Sequence, residues 1–446
     1  MTNSLKSIIP IIILALLTVG FYWKILLTNL ILIGTDIFLY FYPYKAYASQ
    51  ALLSGRLPLW NPHIFMGVPF LANSQVGLLY PLNWLFLWAE PPKQIAYSIA
   101  LHVWIAGMGA YLFAKYRLKL DTLSAFIGGV IFAFSGFLGA QVEHINQLQV
   151  SAWLPWIFFI SSKARNYEFS LARGNGQTRK VFENLSCLGY HRKIAMLGLI
   201  IALMLLAGHT QSVYISMFGL GIYILGHVIL SGLPLKNVVM VRQERFSKTF
   251  LVLATMLPKF IFPFMPLIFA IMLALLISAG QLLPTIELAG HSIRSGGLTY
   301  NEVVAFSLNP LKSWLTFLPP YGIDLEKHLG AAFSEFIAYI GMIPLILVMV
   351  GLWNTLKKNG NSSLRVRRLS MIFVGGVGFI LAFGLFTGPI YAVLYRFVPG
   401  FDLFRVPARW LLLYTFSVAM MSAVGFQWIC YQRFAMLKKH NRPYHF

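Results

Sequence analysis

Gly34-Thr35-Asp36-Ile37-Phe38-Leu39-Tyr40-Phe41-Tyr42-Pro43 follows the first long apolar run of the chain, where a membrane-crossing helix would emerge into the interface. An ionised group at the edge of hydrocarbon is costly unless it is paired, hydrated or neutralised. Asp36 is therefore the first candidate for chemistry. A second reading stands beside it: Thr-Asp is a common helix-start pair, and Asp36 would then simply cap a short interfacial helix.

Outward from this stretch the chain is apolar from end to end. Of 446 residues, 58% are hydrophobic, 15% aromatic and only 11% charged, with a mean hydropathy of +0.72. Soluble domains carry roughly 25% charged residues. Runs long enough to cross ~30 Å of hydrocarbon recur throughout, and the alternating strands of a membrane barrel are absent. The expected fold class is all-α and polytopic, with transmembrane helices at residues 7–27, 94–114, 123–141, 147–162, 194–210, 212–232, 264–283, 335–354, 371–391 and 410–430.

The formal net charge of +22 is explained by where the bases fall. With the amino terminus inside, every inner segment is basic, including Lys115, Arg117 and Lys119 after the second span and Lys357, Arg365, Arg367 and Arg368 after the eighth. Most of the acids, Asp36, Glu90, Glu143, Glu287, Glu302, Asp324, Glu326, Glu335 and Asp402, collect in outer segments. This is the positive-inside asymmetry; it places both termini in the cytoplasm and needs no nucleic-acid partner. Cys187 and Cys430 supply neither a disulfide framework nor a cysteine metal site. Lys6 precedes the first apolar run, but no small-residue cleavage site follows, so that run reads as an uncleaved span.

The chain is one transmembrane domain, 1–446, with two long outer loops. The first, 34–93, is rich in Pro, Tyr, Trp, Asn and Gly and predicts helices near 37–54 and 76–89, the second interfacial because Pro81 and Glu90-Pro91-Pro92 interrupt it. The other, 284–334, is aromatic and apolar enough to argue against disorder. The turn between the third and fourth spans carries Gln141, Glu143, His144, Asn146 and Gln147, which either face water or line a cavity. Gly208-His209-Thr210-Gln211-Ser212 repeats the pattern closer to membrane depth; a histidine there is a hydrogen-bonded structural residue or a binding group. The inner loop 163–193 carries no chemistry, and 249–263 reads as an interfacial segment or a kinked entry.

Arg405 and Arg409 sit at the outer mouth of the last span, against the charge trend. Four residues apart, they face the same way if that segment is helical, and paired guanidinium groups suit a phosphate or diphosphate. The alternatives are an ion pair with Asp402 or snorkelling to outer headgroups. No Gly-rich phosphate loop, His-Glu-x-x-His or Gly-x-Ser-x-Gly occurs, which argues against ATP-driven chemistry and a serine hydrolase. An outer-face cavity with a membrane-edge acid and arginines suits a substrate that is half lipid.

Asp36-Ile37-x-x-Tyr40-x-Tyr42-Pro43, Leu57-Pro58-Leu59-Trp60-Asn61-Pro62, Gly67-x-Pro69-Phe70-x-Ala72-Asn73, Ser135-Gly136-Phe137 before His144, and Phe404-Arg405-Val406-Pro407-Ala408-Arg409 together resemble the YfhO-like bacterial membrane proteins, which are grouped with the GT-C glycosyltransferases. The resemblance covers nearly the whole chain. It implies a GT-C-like fold in the bacterial cytoplasmic membrane. It also implies transfer of a sugar from a polyprenyl-phosphate donor to an extracytoplasmic glycan, lipid or protein, with an essential acid in the first outer loop. Asp36 occupies that place. Relatives of this kind are longer, with more spans and a carboxy-terminal outer domain. The mechanism implied is an inverting displacement with Asp36 as general base, and Arg405 and Arg409, with Arg294 and Lys45 behind them, holding the lipid phosphate. Glu143 and His144 would orient Asp36 or bind sugar hydroxyls, as would, more weakly, His209 and Gln211. A metal on Asp36 and Glu143 needs more oxygen ligands than can be placed, so the expectation is metal-independent transfer without a cofactor. The competing classes are a transporter or flippase for a lipid-linked glycan, which broken helices and polar groups at the membrane midplane would favour, and an envelope-assembly scaffold.

Overall fold

The computed structural model describes residues 5–161, 188–231, 262–292, 295–319, 324–330, 333–357 and 362–440. Most of the 163–193 loop with Cys187, most of the 249–263 segment, and Arg294 lie outside them. The described chain is almost entirely helical. Its principal helices are α1 (Leu5–Phe21), α2 (Tyr42–Leu53), α3 (Pro91–Tyr116), α4 (Thr122–Ala133), α5 (Gly136–Ala140), α6 (Ile145–Ala152), α7 (Leu188–Leu206), α8 (Thr210–Leu230), α9 (Met265–Ile277), α10 (Ala279–Gly290), α11 (Met342–Leu356), α12 (Ser362–Ala382) and α13 (Leu411–His440). Among the described residues the strands are a single two-residue ladder, Trp60–Asn61 against Val68–Pro69.

Four helical stretches among the described residues are long and apolar enough to cross a membrane: Pro91–Tyr116, Thr122–Ala140, Thr210–Leu230 and Pro407–Arg433. A fifth is gained if Phe262–Ile277 and Ala279–Gly290, bent by 81°, count as one span. Among the described residues the expected count of ten is thus not confirmed, and several of the shortfalls have local reasons. The run at 7–27 breaks at Tyr22, the one at 335–354 becomes helical only at Met342, and the one at 371–391 stops at Ala382. The 264–283 run breaks at Ser278, whose hydroxyl donates back to the Ala274 carbonyl oxygen at 2.6 Å. Beyond the break, Gln281 and Thr285 donate to the carbonyl oxygens of Leu71 and Ala72, at 2.6 and 2.8 Å. These polar side chains turn away from hydrocarbon to backbone acceptors in the first loop.

The hub of the bundle is α13, which packs against α3, α4, α8, α11 and α12. Small residues set the distance of closest approach. A Cβ on Gly351 of α11 would lie 2.2 Å from the Met421 carbonyl oxygen, and one on Gly425 of α13 would lie 2.0 Å from that of Leu347. The two backbones therefore touch, the device by which membrane helices gain contact where lipid offers no hydrophobic drive. Around Phe416 of α13 stand Phe113, Phe132 and Phe158, with ring centroids 5.5, 5.2 and 5.4 Å away. Edge-on and tilted pairs of this kind are each worth ~0.5–1.5 kcal/mol beyond their area.

The first loop folds onto this bundle through its own aromatic cluster. Tyr44 stacks on Tyr40 at 4.3 Å and on Phe70 at 5.5 Å, and Tyr47 meets Phe70 edge-on while its hydroxyl donates to the Trp60 carbonyl oxygen at 2.7 Å. The predicted helix at 37–54 is present, but its first part is a π-helical turn, Ile37–Phe41. Pro43 explains it: the ring cannot sit over the Leu39 carbonyl of a regular α-turn, so the coil widens and Tyr42 N–H reaches back to Ile37. The predicted helix at 76–89 is reduced to the single turn Pro81–Trp84. There Asn83 and Trp84 side chains donate to the Gly77 and Leu78 carbonyl oxygens and hold the segment in turns.

Candidate functional site

A cavity of about 920 Å³ opens between the first loop, the 144–146 and 208–211 turns, α10 and the segment 403–409. The lining brings together six of the residues singled out above: Asp36, His144, His209, Gln211, Arg405 and Arg409. Glu143 stands just behind, its carboxylate so close over Gly34 that a Cβ there would lie 2.7 Å from Oε1. Lys45 does not line the cavity; it sits on α2, where burial pushes its ammonium down to about 7.

Asp36 is not a helix cap. Its backbone is already helical and its side chain makes no capping bond. Instead Oδ2 lies 3.3 Å from His144 Nε2, and His144 Nδ1 lies 3.1 Å from Gln141 Oε1. With Gln141 presenting its oxygen, Nδ1 donates to it, and Nε2 faces the Asp36 carboxylate. Gln141, fully buried, fixes the ring; Asp36, about half exposed, faces the cavity. The turn at 141–147 is accordingly not an ordinary solvated turn: Gln141, Asn146 and Gln147 are buried.

The opposite wall is a tighter construction. Arg409 Nε donates to Glu335 at 3.0 and 3.1 Å, Nη2 donates to Glu335 Oε1 at 2.5 Å, and Nη1 donates to Gln211 Oε1 at 2.7 Å. Gln211 in turn donates to the Arg405 and Val406 carbonyl oxygens at 2.5 and 3.3 Å. The partner of Arg409 is thus buried Glu335 and not Asp402. Arg405 and Arg409 do not stand on one helix face either. Arg405 lies in extended chain before the 3₁₀ turn Pro407–Trp410, and between them Val406 adopts the left-handed region at φ 66°. A β-branched residue there is strained by ~1–3 kcal/mol, and here that conformation re-aims the chain across the cavity wall. Arg405 is exposed, and among the described residues no acceptor or carboxylate engages its guanidinium.

His209 caps α8: its Nδ1 accepts from Ser212 N–H at 3.2 Å, so the neutral ring carries its proton on Nε2. Burial first, and then the neighbouring Arg409, hold its pKa well below the usual histidine range. The turn before it must be glycine, because Gly208 has φ 90° and a Cβ would lie 1.8 Å from the Ser74 carbonyl oxygen. This close seam, together with Asn73 Nδ2 donating to Tyr40 Oη at 2.9 Å, fastens residues 73–74 as part of the cavity lining. Among the described residues, no three histidine, cysteine or acidic side chains gather as a metal-ion cluster.

Sequence reasoning did not single out Glu335, Tyr40 or Asn73 as site residues, and named Gln141 only as one member of a polar turn. Glu335 had a signal: an acid at the edge of an apolar run requires a partner, and Arg409 lies at the edge of another.

No family model matches the chain, and no curated protein matches it by sequence. Its fold is similar to three solved structures from Archaeoglobus fulgidus. The archaeal oligosaccharyltransferase AglB in complex with an inhibitory peptide and a dolichol-phosphate superposes with a TM-score of 0.50 at 14% identity, over 97% of this chain and 51% of that one. The apo form of the oligosaccharyltransferase gives 0.50 at 14% over 98% and 52%. The form tethered to an acceptor peptide containing the NVT sequon gives 0.50 at 13% over 97% and 50%. The chain therefore spans about half the length of the structures it matches. At this identity the likeness is one of fold alone, a helical bundle arranged as in these structures.

Proposed function

We propose that the protein is a membrane glycosyltransferase that transfers a sugar from a polyprenyl-phosphate donor to an acceptor on the outer face of the bacterial cytoplasmic membrane, with both termini inside. The observation that carries this reading is the cavity itself: an acid paired with a histidine on one wall, and an unengaged arginine on the other, drawn from opposite ends of the chain. The coarse likeness to enzymes solved with dolichol-phosphate and with acceptor peptide supports the same class of donor and acceptor.

In the proposed step, an acceptor hydroxyl oxygen attacks the anomeric carbon from the side opposite the phosphate. The new carbon–oxygen bond forms as the bond to the lipid phosphate breaks, and the configuration inverts. The hydroxyl proton passes to Asp36, with His144 available to share it. The leaving phosphate is already a weak base, so a cation rather than an acid holds its charge, and Arg405 is that cation. Arg409, engaged by Glu335 and Gln211, shapes the wall and adds positive potential. His209, kept neutral, offers its Nε2–H to a phosphate or sugar oxygen. The transfer proceeds without a divalent metal, so EDTA leaves it intact.

The test is purified full-length chain in detergent with a radiolabelled polyprenyl-phosphate sugar and a panel of acceptors. Native protein transfers label and Asp36→Asn does not. Equal turnover by the two removes Asp36 from the base role. Scrambling of the donor in reconstituted vesicles without any transfer makes the protein a flippase.

A further inference from the structure

At the other end of the bundle a second pocket of about 380 Å³ lies between α11, α12 and α13, lined by Asn354, Lys357, Arg368, Gln427, Trp428 and Gln432 among others. Leu411, beside the first cavity, and Gln427 lie on the same helix, and at 1.5 Å per residue the interval between them is about 24 Å. That is most of the ~30 Å hydrocarbon thickness, so the two cavities open toward opposite membrane faces. The bases around the second mark it as the inner one.

Three arginines stand within one turn of α12, and their contacts differ. Arg365 donates to the Thr355 and Leu356 carbonyl oxygens, closing the end of α11, at 3.2 and 3.3 Å. Arg367 donates to the Arg117 carbonyl oxygen at the end of α3, at 3.1 Å. Arg368 has no such acceptor, and its Nε is shut away from water without a hydrogen-bond partner. Nearby Asp121 does not neutralise it: that carboxylate accepts from Ser124 N–H and Oγ at 2.9 and 2.7 Å as a helix cap. Among the described residues no carboxylate lies within ion-pair distance of Arg368 or Lys357. Lys357 lies over the Trp353 ring, its Nζ 4.7 Å from the centroid. Gln427 uses its oxygen to accept from Asp121 N–H, which leaves its amide hydrogens as donors.

A half-buried cation without a counter-charge is unfavourable, and donors without acceptors around it define what is missing. We propose that this inner pocket binds a phosphate group, held by Arg368 and Lys357 with amide donors from Gln427, Gln432 and Asn354. The phosphate of an anionic lipid headgroup and a soluble phosphate share the chemistry, and the inference does not depend on sugar transfer.

The test is thermal melting of the delipidated full-length chain in neutral detergent, with phosphatidylglycerol, with phosphatidylcholine and with inorganic phosphate as separate additions. Phosphatidylglycerol or inorganic phosphate raises the melting temperature and phosphatidylcholine does not. A shift with phosphatidylglycerol alone identifies a headgroup site, and a shift with phosphate alone a soluble-anion site. Arg368→Gln and the exposed-site variant Lys357→Gln each raise the half-saturating concentration about tenfold. Without anion, Arg368→Gln melts at or above the native chain, because it removes the uncompensated charge. Equal shifts with both lipids and none with phosphate, unchanged midpoints in both variants, or a lower anion-free melting temperature for Arg368→Gln would each overturn the proposal.

Discussion

Two acid–base contacts face one another across the cavity, and they are built for opposite purposes. Arg409 and Glu335 are joined by several hydrogen bonds, braced by Gln211, and side-chain exposures of 16% and 7% keep them from water. Asp36 and His144 meet through one 3.3 Å contact, and half of the Asp36 side chain is open. A buried pair with its valences filled holds a shape, and separating it is expensive. An open acid beside a histidine can take a proton without rearranging anything else. A charged residue in a membrane cavity is therefore assigned by how completely its partners satisfy it, more than by its type.

The largest expected effect breaks the comparison at its open end. Asp36→Asn lowers transfer by ~10²–10⁴-fold, the range of general-base loss, while the melting temperature in detergent stays at the native value. At the closed end the outcome reverses. Glu335→Ala leaves the Arg409 charge buried and unpaired, costing ~3–5 kcal/mol of stability by denaturant titration, and the double replacement Glu335→Leu with Arg409→Leu recovers most of it. A smaller effect separates base from partner: His144→Ala slows transfer about tenfold, measured in single turnover, because Asp36 keeps its place but loses a proton partner.

The last effect concerns a cation outside the cavity. Lys45 is held near 7 against an ordinary 10.5 by burial. Below pH 7 its ammonium is charged in both folded and unfolded chains, and the full penalty weighs on the fold. Between 7 and 10.5 the unfolded chain holds a proton that the folded chain has released, so stability rises with pH. Lys45→Met removes that rise and lifts the melting temperature at pH 7; a melting curve across this pH range checks both.

The helical membrane class and the candidacy of Asp36, Arg405 and Arg409 were legible in the sequence, because burial cost and charge sidedness act on composition alone; His144 and Gln211 were placed with Asp36 only through the family resemblance. What was not legible depended on contacts between distant segments. A hydropathy run cannot say that its helix breaks at Ser278, or that Gln281 and Thr285 just beyond bond to carbonyl oxygens in the first loop. Spacing put Arg405 and Arg409 on one helix face, but the left-handed backbone at Val406 separates them, and propensity speaks against such a conformation for valine. Glu335 was visible as an outer acid, yet its partner lay on another run, and a single sequence does not pair them.

The right-angled break at Ser278 has a consequence for traffic. The arm beyond it, α10, turns by 81° from α9, with Thr285, Ile286 and Ala289 lining the cavity while Leu283 is largely exposed. Such an arm makes a threshold rather than a wall: one side offers hydrocarbon, the other polar groups. For the lipid-linked donor proposed above, such an arm would let the tail stay among hydrocarbon while only the head passes over the sill.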